Sequence, residues 1–305
     1  MRNTLKNRVS YAECSARERL ALVVDADSFQ EWLPPADRIT SPHLAQLGVP
    51  TSFDDGVAIG RARLDGHRVF VAAQEGAFMG GGVGEVHGAK LVGMLRRALR
   101  ERPQAVLLLA ESGGVRLHEA NAGLIAVSEV MRAVLDARSA GIPVITLIGG
   151  ANGCFGGMGI VARCTDRIIM SDIGRLAMSG PEVIEASHGV EEFDARDRAL
   201  VWRTTGGKHR YLTGDCDALV DDDVLEFRTA AIQALVRADA SRAPTLDSLE
   251  QEHAGLAARL EVAGNDAEAL SLWSRIGVPE PARIPELGAA AVRLLRPSPS
   301  AALAA

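Results

Sequence analysis

The hydrophobic positions of this chain follow two alternating patterns. Short runs rich in valine, isoleucine and leucine stop at glycines, and the segments after those glycines have apolar residues at helical spacing. The clearest runs are residues 105–110, which end in the glycine turn 111–114, and residues 142–148, which end in the turn 149–159. Strands that alternate with helices predict parallel βαβ units with right-handed crossovers. Successive units could stack as a superhelix or lie in one open sheet.

Local signals predict further elements around these units. Two runs joined by Asp65 and Gly66 predict a β-hairpin over residues 57–73, and Ser15 with Glu18 has the spacing of a capping box at a helix start. Leucine and methionine at helical spacing predict that the helix over 85–102 packs on a sheet; they are Leu91, Met94, Leu95 and Leu99. The remaining predictions are helices over 115–140, 181–185 and, with a break near Pro244, 223–275, and strands over 166–170 and 175–178.

Composition narrows the classes of function. The 305 residues are 47% apolar and 24% charged, which is typical of a globular protein, and the net charge of −6 disfavours binding to nucleic acid or to an anionic membrane. No apolar run approaches the roughly 20 residues that span a bilayer. The four cysteines are widely separated and form no CxxC pair, which argues against a zinc ribbon or a disulfide framework. We therefore expect a cytoplasmic protein with no metal site.

The glycine turns are the best candidates for chemistry. Gly156 and Gly157 stand where a helix should begin, and the first amides of a helix have no partner within it. Glycine lets a backbone approach a ligand closely, so such amides can stabilise negative charge on a thioester or carbonyl oxygen. Loss of CO₂ from a β-keto acid equivalent such as a malonyl thioester leaves an enolate, and that reaction requires this stabilisation above all. The turn at Gly113 and Gly114 repeats the design.

Each candidate also has a structural interpretation. A Gly-Gly pair after a strand is often only a turn, and Glu111 could pair with Arg116 across its own turn as a structural bridge. The histidines near the glycine turns, each of which could serve only in packing or at the surface, are His87, His118 and His209. Arg96, Arg97 and Arg100 could bind the phosphates of a long thioester carrier, or could form a solvated helix face.

The order of several motifs resembles the carboxyltransferase N-domains, which are crotonase-like domains of acyl-CoA carboxylases. The resemblance covers roughly residues 10 to 225. The matching motifs are residues 16–20, 27–29, 55–57, Gly66, 78–85, 111–116 with Glu119, and 180–184.

Within that superfamily the chain most closely resembles the beta subunits of biotin-independent malonate decarboxylases, particularly over residues 149–157 and 204–214. The resemblance implies an α/β fold of stacked ββα units in a crotonase-like superhelix. It implies that Gly156 and Gly157 form the oxyanion pair and that Gly113 and Gly114 lie beside the substrate. The implied substrate is a malonyl thioester on an acyl carrier protein with a CoA-like prosthetic group, which becomes an acetyl thioester without biotin or zinc. A gamma subunit would supply a second crotonase-like half, and an acyltransferase subunit would exchange acetyl for malonate.

The chain is accordingly divided into three segments. Residues 1–222 are predicted to form the crotonase-like carboxyltransferase N-type domain, 223–296 a helical C-terminal segment, and 297–305 a flexible tail. The main alternative is the N-half of a biotin-dependent acyl-CoA carboxyltransferase, which would hold the same enolate while it gains CO₂. Two further alternatives are an enoyl-thioester hydratase or isomerase with Glu119 as its acid or base, and a scaffold that only docks a carrier protein.

Overall fold

A single mixed sheet of seven strands forms the centre of the computed structural model, which describes residues 8–46, 48, 53–237, 244–264 and 268–297. The strands lie in the sheet in the order in which they occur in the chain. They are β1 (Gln30–Trp32), β2 (Val57–Leu64), β3 (His67–Gln74), β4 (Ala105–Ala110), β5 (Val144–Ile148), β6 (Arg167–Ser171) and β7 (Ala218–Val220).

The direction of the strands places the candidate turns at one edge. The hairpin of β2 and β3 is antiparallel, as is the pairing of β1 with β2, whereas β3 to β7 run parallel. In register, Leu107 of β4 lies between Val71 of β3 and Ile145 of β5. The carboxyl ends of the parallel strands therefore meet at a common edge, as expected for a parallel sheet with crossover helices.

Helices cover both faces of the sheet, which is why the parallel strands are apolar on both sides. Helices α3, α4 and α5 contribute buried residues to the core on one face, and α1 and α9 contribute to the core on the other. The helices are α1 (Ala16–Val23), α2 (Pro42–Gln46), α3 (Glu85–Glu101), α4 (Asn121–Ser139), α5 (Gly156–Arg163), α6 (Pro181–His188), α7 (Arg198–Thr205), α8 (Gly207–Leu212), α9 (Val224–Val236), α10 (Leu246–Ala263), α11 (Ala269–Arg275) and α12 (Ala289–Arg293).

Most of the predicted elements are confirmed, including the α/β class, the hairpin and the helix that packs through Leu91, Met94 and Leu95. The capping box at Ser15 is present, with Ser15 and Glu18 bonded to each other's backbone amides.

Two predictions are wrong in detail. The helix predicted from residue 115 begins only at Asn121, because a 3₁₀ turn over Leu117–Glu119 and the left-handed backbone of Ala120 (φ 48°) precede it. The segment 175–178 is no strand and makes only isolated bridges, through Leu176 to Cys154 and through Arg175 to Gly206.

The C-terminal part contains the helices α9 to α12 with turns between them, and α10 begins after Pro244. Helices α11 and α12 share a small core with α8 and β7, centred on Trp273. Residues 238–243, which adjoin the predicted break, and 298–305 of the predicted tail lie outside the described residues. The boundary between 222 and 223 stays a prediction.

Candidate active site

The two predicted glycine turns lie against each other at the carboxyl edge of the sheet. Beyond the ends of β4 and β5 the parallel pairing continues, because the Ser112 amide donates to the Gly153 carbonyl and the Phe155 amide donates to the Ser112 carbonyl, each at 2.8 Å. A Cβ atom on Gly156 would lie only 2.9 Å from the Cα of Gly114. Glycine at these positions thus permits a close approach of two backbones.

Some backbone amides of these turns donate a hydrogen bond within the protein, and others do not. The Gly113 amide donates to the Gly80 carbonyl (2.9 Å), the Gly114 amide to Ser112 Oγ (3.1 Å), and the Gly156 amide to the Met178 carbonyl (2.9 Å). Within the described ranges the Gly157 amide donates to no protein atom. Three of the four predicted glycines therefore use their amides to hold the turns together.

A second unengaged amide belongs to Val115, which sequence reasoning missed. The bridge between Val83 and Val115 uses the amides of Val83 and Arg116, and leaves the Val115 amide without an acceptor in the described part of the chain. Val115 and Gly157 are both half-buried residues, so neither lies in the fully buried core. The Val115 nitrogen lies 3.8 Å from where a Cβ on Gly156 would be, so the free amides belong to adjoining backbone segments.

The start of α5 is held by packing as well as by hydrogen bonds. Gly156 has φ of +56°, a left-handed conformation that favours glycine. At Gly157 a Cβ atom would lie 2.5 Å from Cγ1 of Val127 on α4. The absence of a side chain at Gly157 therefore lets α5 pack directly on α4.

A third glycine segment, Met79–Gly82, lies beside the first turn. Its neighbour Val83 donates its amide to the Gly114 carbonyl at 2.8 Å and accepts from the Arg116 amide at 3.0 Å. At Gly81 (φ +68°) a Cβ atom would collide with the Glu111 carbonyl oxygen. The segment and the turn are thus in direct backbone contact.

The predicted pairing of Glu111 with Arg116 is wrong. Glu111 forms an ion pair with Arg19 of α1 and accepts the Asn152 amide at 3.0 Å. Arg116 instead reaches Asp54 (2.6 Å) and Glu119 (3.0 Å). The chain brings more distant partners together because each of these charges is almost fully buried and needs compensation within the core.

Burial and neighbouring charges act in opposite directions on the pKa values of Asp54 and Lys90. Burial would raise the pKa of Asp54, but the hydrogen bonds and positive charge of Arg116 outweigh it and hold that pKa below its ordinary value. Burial lowers the pKa of Lys90, although the Asp54 carboxylate opposes the shift. Lys90 Nζ lies in the same region and donates to the Val57 carbonyl at 3.2 Å.

The three candidate histidines have different surroundings. His87 is fully buried, which lowers its pKa to about 3, and its Nε2 accepts a hydrogen bond from the Gln74 amide at 3.0 Å. Burial also lowers the pKa of His209 to about 3, and this residue accepts from Trp273 in the C-terminal core. His118 is exposed in the 3₁₀ turn. The structure therefore places His87 beside the buried charges and His209 away from the turns.

The three candidate arginines on α3 do not act as one cluster. Arg97 stacks on Trp32, with its Cζ 4.2 Å from the ring centre, and pairs with Glu101. Arg96 is exposed, with a long ion pair (3.5 Å) to Glu129, at a groove of about 540 Å³ between α3 and α4. Arg100 is exposed. Arg96 and Arg100 are accessible to a ligand, whereas Arg97 is occupied within the protein.

Neither a metal cluster nor a membrane segment occurs within the described ranges. No three or more histidine, cysteine, aspartate or glutamate side chains are arranged there to hold a metal ion. No described helix is both long and apolar enough to cross a membrane.

A mainly parallel sheet, covered by helices on both faces and ending in apposed glycine turns, defines an α/β protein. The chain belongs to the carboxyl transferase domain family, whose sequence pattern matches residues 11–254. The superfamily predicted from the sequence is thereby confirmed.

Individual relatives agree with this assignment. Malonyl-S-ACP:biotin-protein carboxyltransferase MADC of Malonomonas rubra is 48% identical over 241 residues, which are 73% of this chain and 76% of that protein. A chain in the crystal structure of a Pseudomonas malonate decarboxylase hetero-tetramer in complex with malonate matches with a TM-score of 0.79 and 37% identity, over 88% of this chain and 98% of that one. The propionyl-CoA carboxylase beta chain of Saccharopolyspora erythraea is 30% identical over 80% of this chain, but only 43% of its own length is covered. The resemblance to malonate decarboxylase subunits is confirmed.

Proposed function

We propose that this chain is the decarboxylating subunit of a malonate decarboxylase and acts on a malonyl thioester carried by an acyl carrier protein. The observation that carries the proposal is the contact between the turns at Gly114 and Gly156, where the amides of two half-buried residues, Val115 and Gly157, have no acceptor in the described part of the chain. The likeness to a chain of the Pseudomonas malonate decarboxylase hetero-tetramer supports it.

The reaction needs one bond to break and one proton to be added. The bond between the α-carbon and the carboxylate carbon of the malonyl group breaks, CO₂ leaves, and the electron pair forms an enolate with its charge on the thioester oxygen. Amide donors that face this oxygen stabilise the transition state, and one such donor typically contributes ~10²–10³ in rate. A proton then adds to the α-carbon and gives the acetyl thioester. We assign the oxyanion donors to Gly157 and Val115, with Gly113, Gly114 and Gly156 shaping the site.

The proposed partner is a gamma subunit that supplies the second crotonase-like half. An apolar surface beside the glycine turns supports a partner there: Leu117, Leu124, Ile125 and Met178 are each more than half exposed. The solved relatives were crystallised as a hetero-tetramer and as an MdcD-MdcE hetero-dimer. An acyl carrier protein and an acyltransferase subunit complete the proposed complex, which we place in the cytoplasm.

The proposal includes no cofactor bound covalently to this chain, and neither biotin nor zinc. The CoA-like prosthetic group of the carrier protein would bring the malonyl group to the site, and Arg96 and Arg100 are the accessible candidates for its phosphates. Replacing both with alanine should raise KM for the carrier-bound substrate and leave kcat unchanged. An unaltered KM would remove them from the proposed site.

A second candidate function is the transfer of the carboxyl group to biotin. The name of the Malonomonas rubra relative describes such a transfer from malonyl-S-ACP to a biotin protein, and that relative is 48% identical. The same enolate would form, but the carboxyl group would be passed to biotin instead of leaving as free CO₂. The two candidate functions use the same glycine turns and differ in whether biotin accepts the carboxyl group.

The hydratase and docking alternatives are less well supported. Glu119 is buried, and its carboxylate is held by Arg116 and by the Glu85 amide at 2.5 Å, so it has no access to a substrate. A docking scaffold does not account for free amides at two apposed turns.

The proposed function is tested by measuring CO₂ release from a malonyl thioester with avidin present. The chain purified alone is compared with the chain purified together with its co-expressed partner subunit. Release by the pair and not by the chain alone supports a biotin-free decarboxylase with a shared site. If neither preparation releases CO₂ with avidin, the proposed function is wrong, and release only without avidin favours carboxyl transfer.

A further inference from the structure

We propose that Arg116, fixed by Asp54 and Glu119, is a positioning residue that sets the distance between the glycine segment Met79–Gly82 and the amide-bearing turn at Gly114 and Val115. Asp54 and Glu119 have no assigned part in the reaction. Only the expected fall in kcat rests on the proposed function, because carboxyl transfer would require the same geometry.

The guanidinium of Arg116 is held at both of its terminal nitrogens. Nη1 lies 2.6 Å from Asp54 Oδ2 and 3.0 Å from Glu119 Oε1, while Nη2 lies 3.3 Å from Asp54 Oδ1. The side chains of all three residues are at most 2% exposed. A planar guanidinium can satisfy two carboxylates at once in this way, whereas the ammonium of a lysine is a point charge.

Glycines surround this arginine at close range. A Cβ atom on Gly84 would lie 2.6 Å from Nη1 of Arg116, one on Gly56 would lie 3.1 Å from Nη2, and one on Gly82 would lie 3.2 Å from its Cα. The Phe78 ring covers the guanidinium at 5.2 Å. Gly82, at the end of the glycine segment, and Gly84, two residues further on, therefore pack on Arg116 without intervening side chains, so the position of this end of the segment depends on where Arg116 is held.

Hydrogen bonds connect Arg116 with the free amide. The Arg116 amide donates to the Val83 carbonyl, the Val83 amide donates to the Gly114 carbonyl, and the Gly113 amide donates to the Gly80 carbonyl. The Glu85 amide donates to Glu119 Oε2, which anchors the start of α3 to the same cluster. Val115 lies between Gly114 and Arg116, so both of its peptide neighbours are fixed by these bonds.

The cluster is balanced in charge. Two carboxylates, Asp54 and Glu119, face the two cations Arg116 and Lys90, and all four side chains are buried. Lysine at position 116 would keep the positive charge, but its single ammonium group could not hold Asp54 and Glu119 in the way that the two terminal nitrogens of arginine do. Arg116→Lys should thus let the backbone shift and displace the Val115 amide, whereas Glu119→Gln would leave a buried positive charge uncompensated.

The test compares Arg116→Lys with Arg138→Lys, both in the complex with the partner subunit. Arg138 pairs with Asp166 at the opposite, amino edge of the sheet, where both side chains are about one-sixth exposed. We expect kcat of Arg116→Lys to fall about 10²-fold, comparable to the loss of one oxyanion donor, with KM within about threefold. Arg138→Lys should retain the wild-type kcat.

Amide hydrogen exchange provides a readout that does not depend on which reaction occurs. We expect faster exchange over residues 79–85 and 112–116 in Arg116→Lys and unchanged exchange there in Arg138→Lys. Glu119→Gln, which preserves volume, is measured in the same way and replaces Arg116→Lys if that variant does not fold. Wild-type exchange together with wild-type kcat would overturn the proposal, whereas an inactive wild-type complex would refute the proposed function and leave the exchange result to decide this one.

Discussion

Glycine is required for different reasons at the two edges of the sheet. At the amino edge, Gly66 and Gly141 have φ of +77° and +78°, and a Cβ atom at either would meet nothing within 4 Å. At the carboxyl edge, Cβ atoms at Gly81 and Gly150 would collide with Glu111. Glycine is thus needed only for its conformation at the first edge, and for close contact as well at the second. Close contact between segments is what an amide-lined site requires.

The charges of the two edges differ in the same way. Arg19 and Glu111 form an ion pair at the carboxyl edge with side chains 1% and 7% exposed. Arg167 and Asp217, at the amino edge, pair at 3.3 Å with side chains 51% and 43% exposed. Buried ion pairs tie loops to the site, whereas exposed pairs contribute little. Substitution of a charged residue should therefore lower the free energy of unfolding more at the carboxyl edge than at the amino edge.

The largest expected effect is on stability, at Arg19. Arg19→Met leaves the Glu111 carboxylate buried without its cation, so the free energy of unfolding should fall by about 3–5 kcal/mol. The same change at Arg167 should cost no more than about 0.5 kcal/mol. Urea unfolding of both variants measures the difference. Equal midpoints for the two variants would show that the edges are not distinct.

The next effect is catalytic, at Gly157. Gly157→Ala places a methyl group against Val127, so α5 and its free amide must move, and kcat should fall about 10²-fold. Val127→Ala restores the space, and the double variant should recover most of the kcat of Val127→Ala alone. Gly141→Ala at the amino edge should lose about 1 kcal/mol of stability and keep its kcat. Full activity of Gly157→Ala would show that the close packing of α5 on Val127 does not control kcat.

The last effect develops only in acid and is the pH dependence of stability caused by His87. Because burial lowers its folded pKa to about 3, the unfolded chain binds a proton that the folded chain does not, between about pH 6.5 and pH 3. The contribution of His87 is complete above that window and is lost as the pH falls through it, by about 1.4 kcal/mol per pH unit. Denaturant unfolding at several pH values within this window measures the free energy of unfolding. That free energy should change with pH less steeply in His87→Gln than in wild type, by about 1.4 kcal/mol per pH unit. The same pH dependence in His87→Gln as in wild type would contradict the assignment.

Local signals in the sequence were sufficient for most of the fold. The Asp65-Gly66 turn predicted the hairpin, the Ser15 capping box predicted α1, and glycines after apolar runs located both turns of the site. These features depend on neighbouring residues, so their physical cause is visible in a single sequence. The superfamily followed from the order of the motifs.

The contacts that hold the site together could not be predicted in the same way. Arg19 and Glu111 are 92 residues apart, and Asp54 and Arg116 are 62 apart, so no spacing rule connects them. The pairing of Glu111 with Arg116 was predicted because the two residues are close together in the sequence. Val115 carries a backbone amide without an acceptor in the described part of the chain, and no side-chain signal marks a backbone donor.

The most direct test of the central claim follows the carboxyl carbon of the substrate. A malonyl thioester labelled in its free carboxyl group is given to the complex of this chain with its partner subunit, together with a biotin acceptor. We predict that the label leaves as CO₂ at the rate at which acetyl thioester forms, and that Gly157→Ala slows both equally. Label recovered on biotin, or equal rates in wild type and Gly157→Ala, would contradict the account.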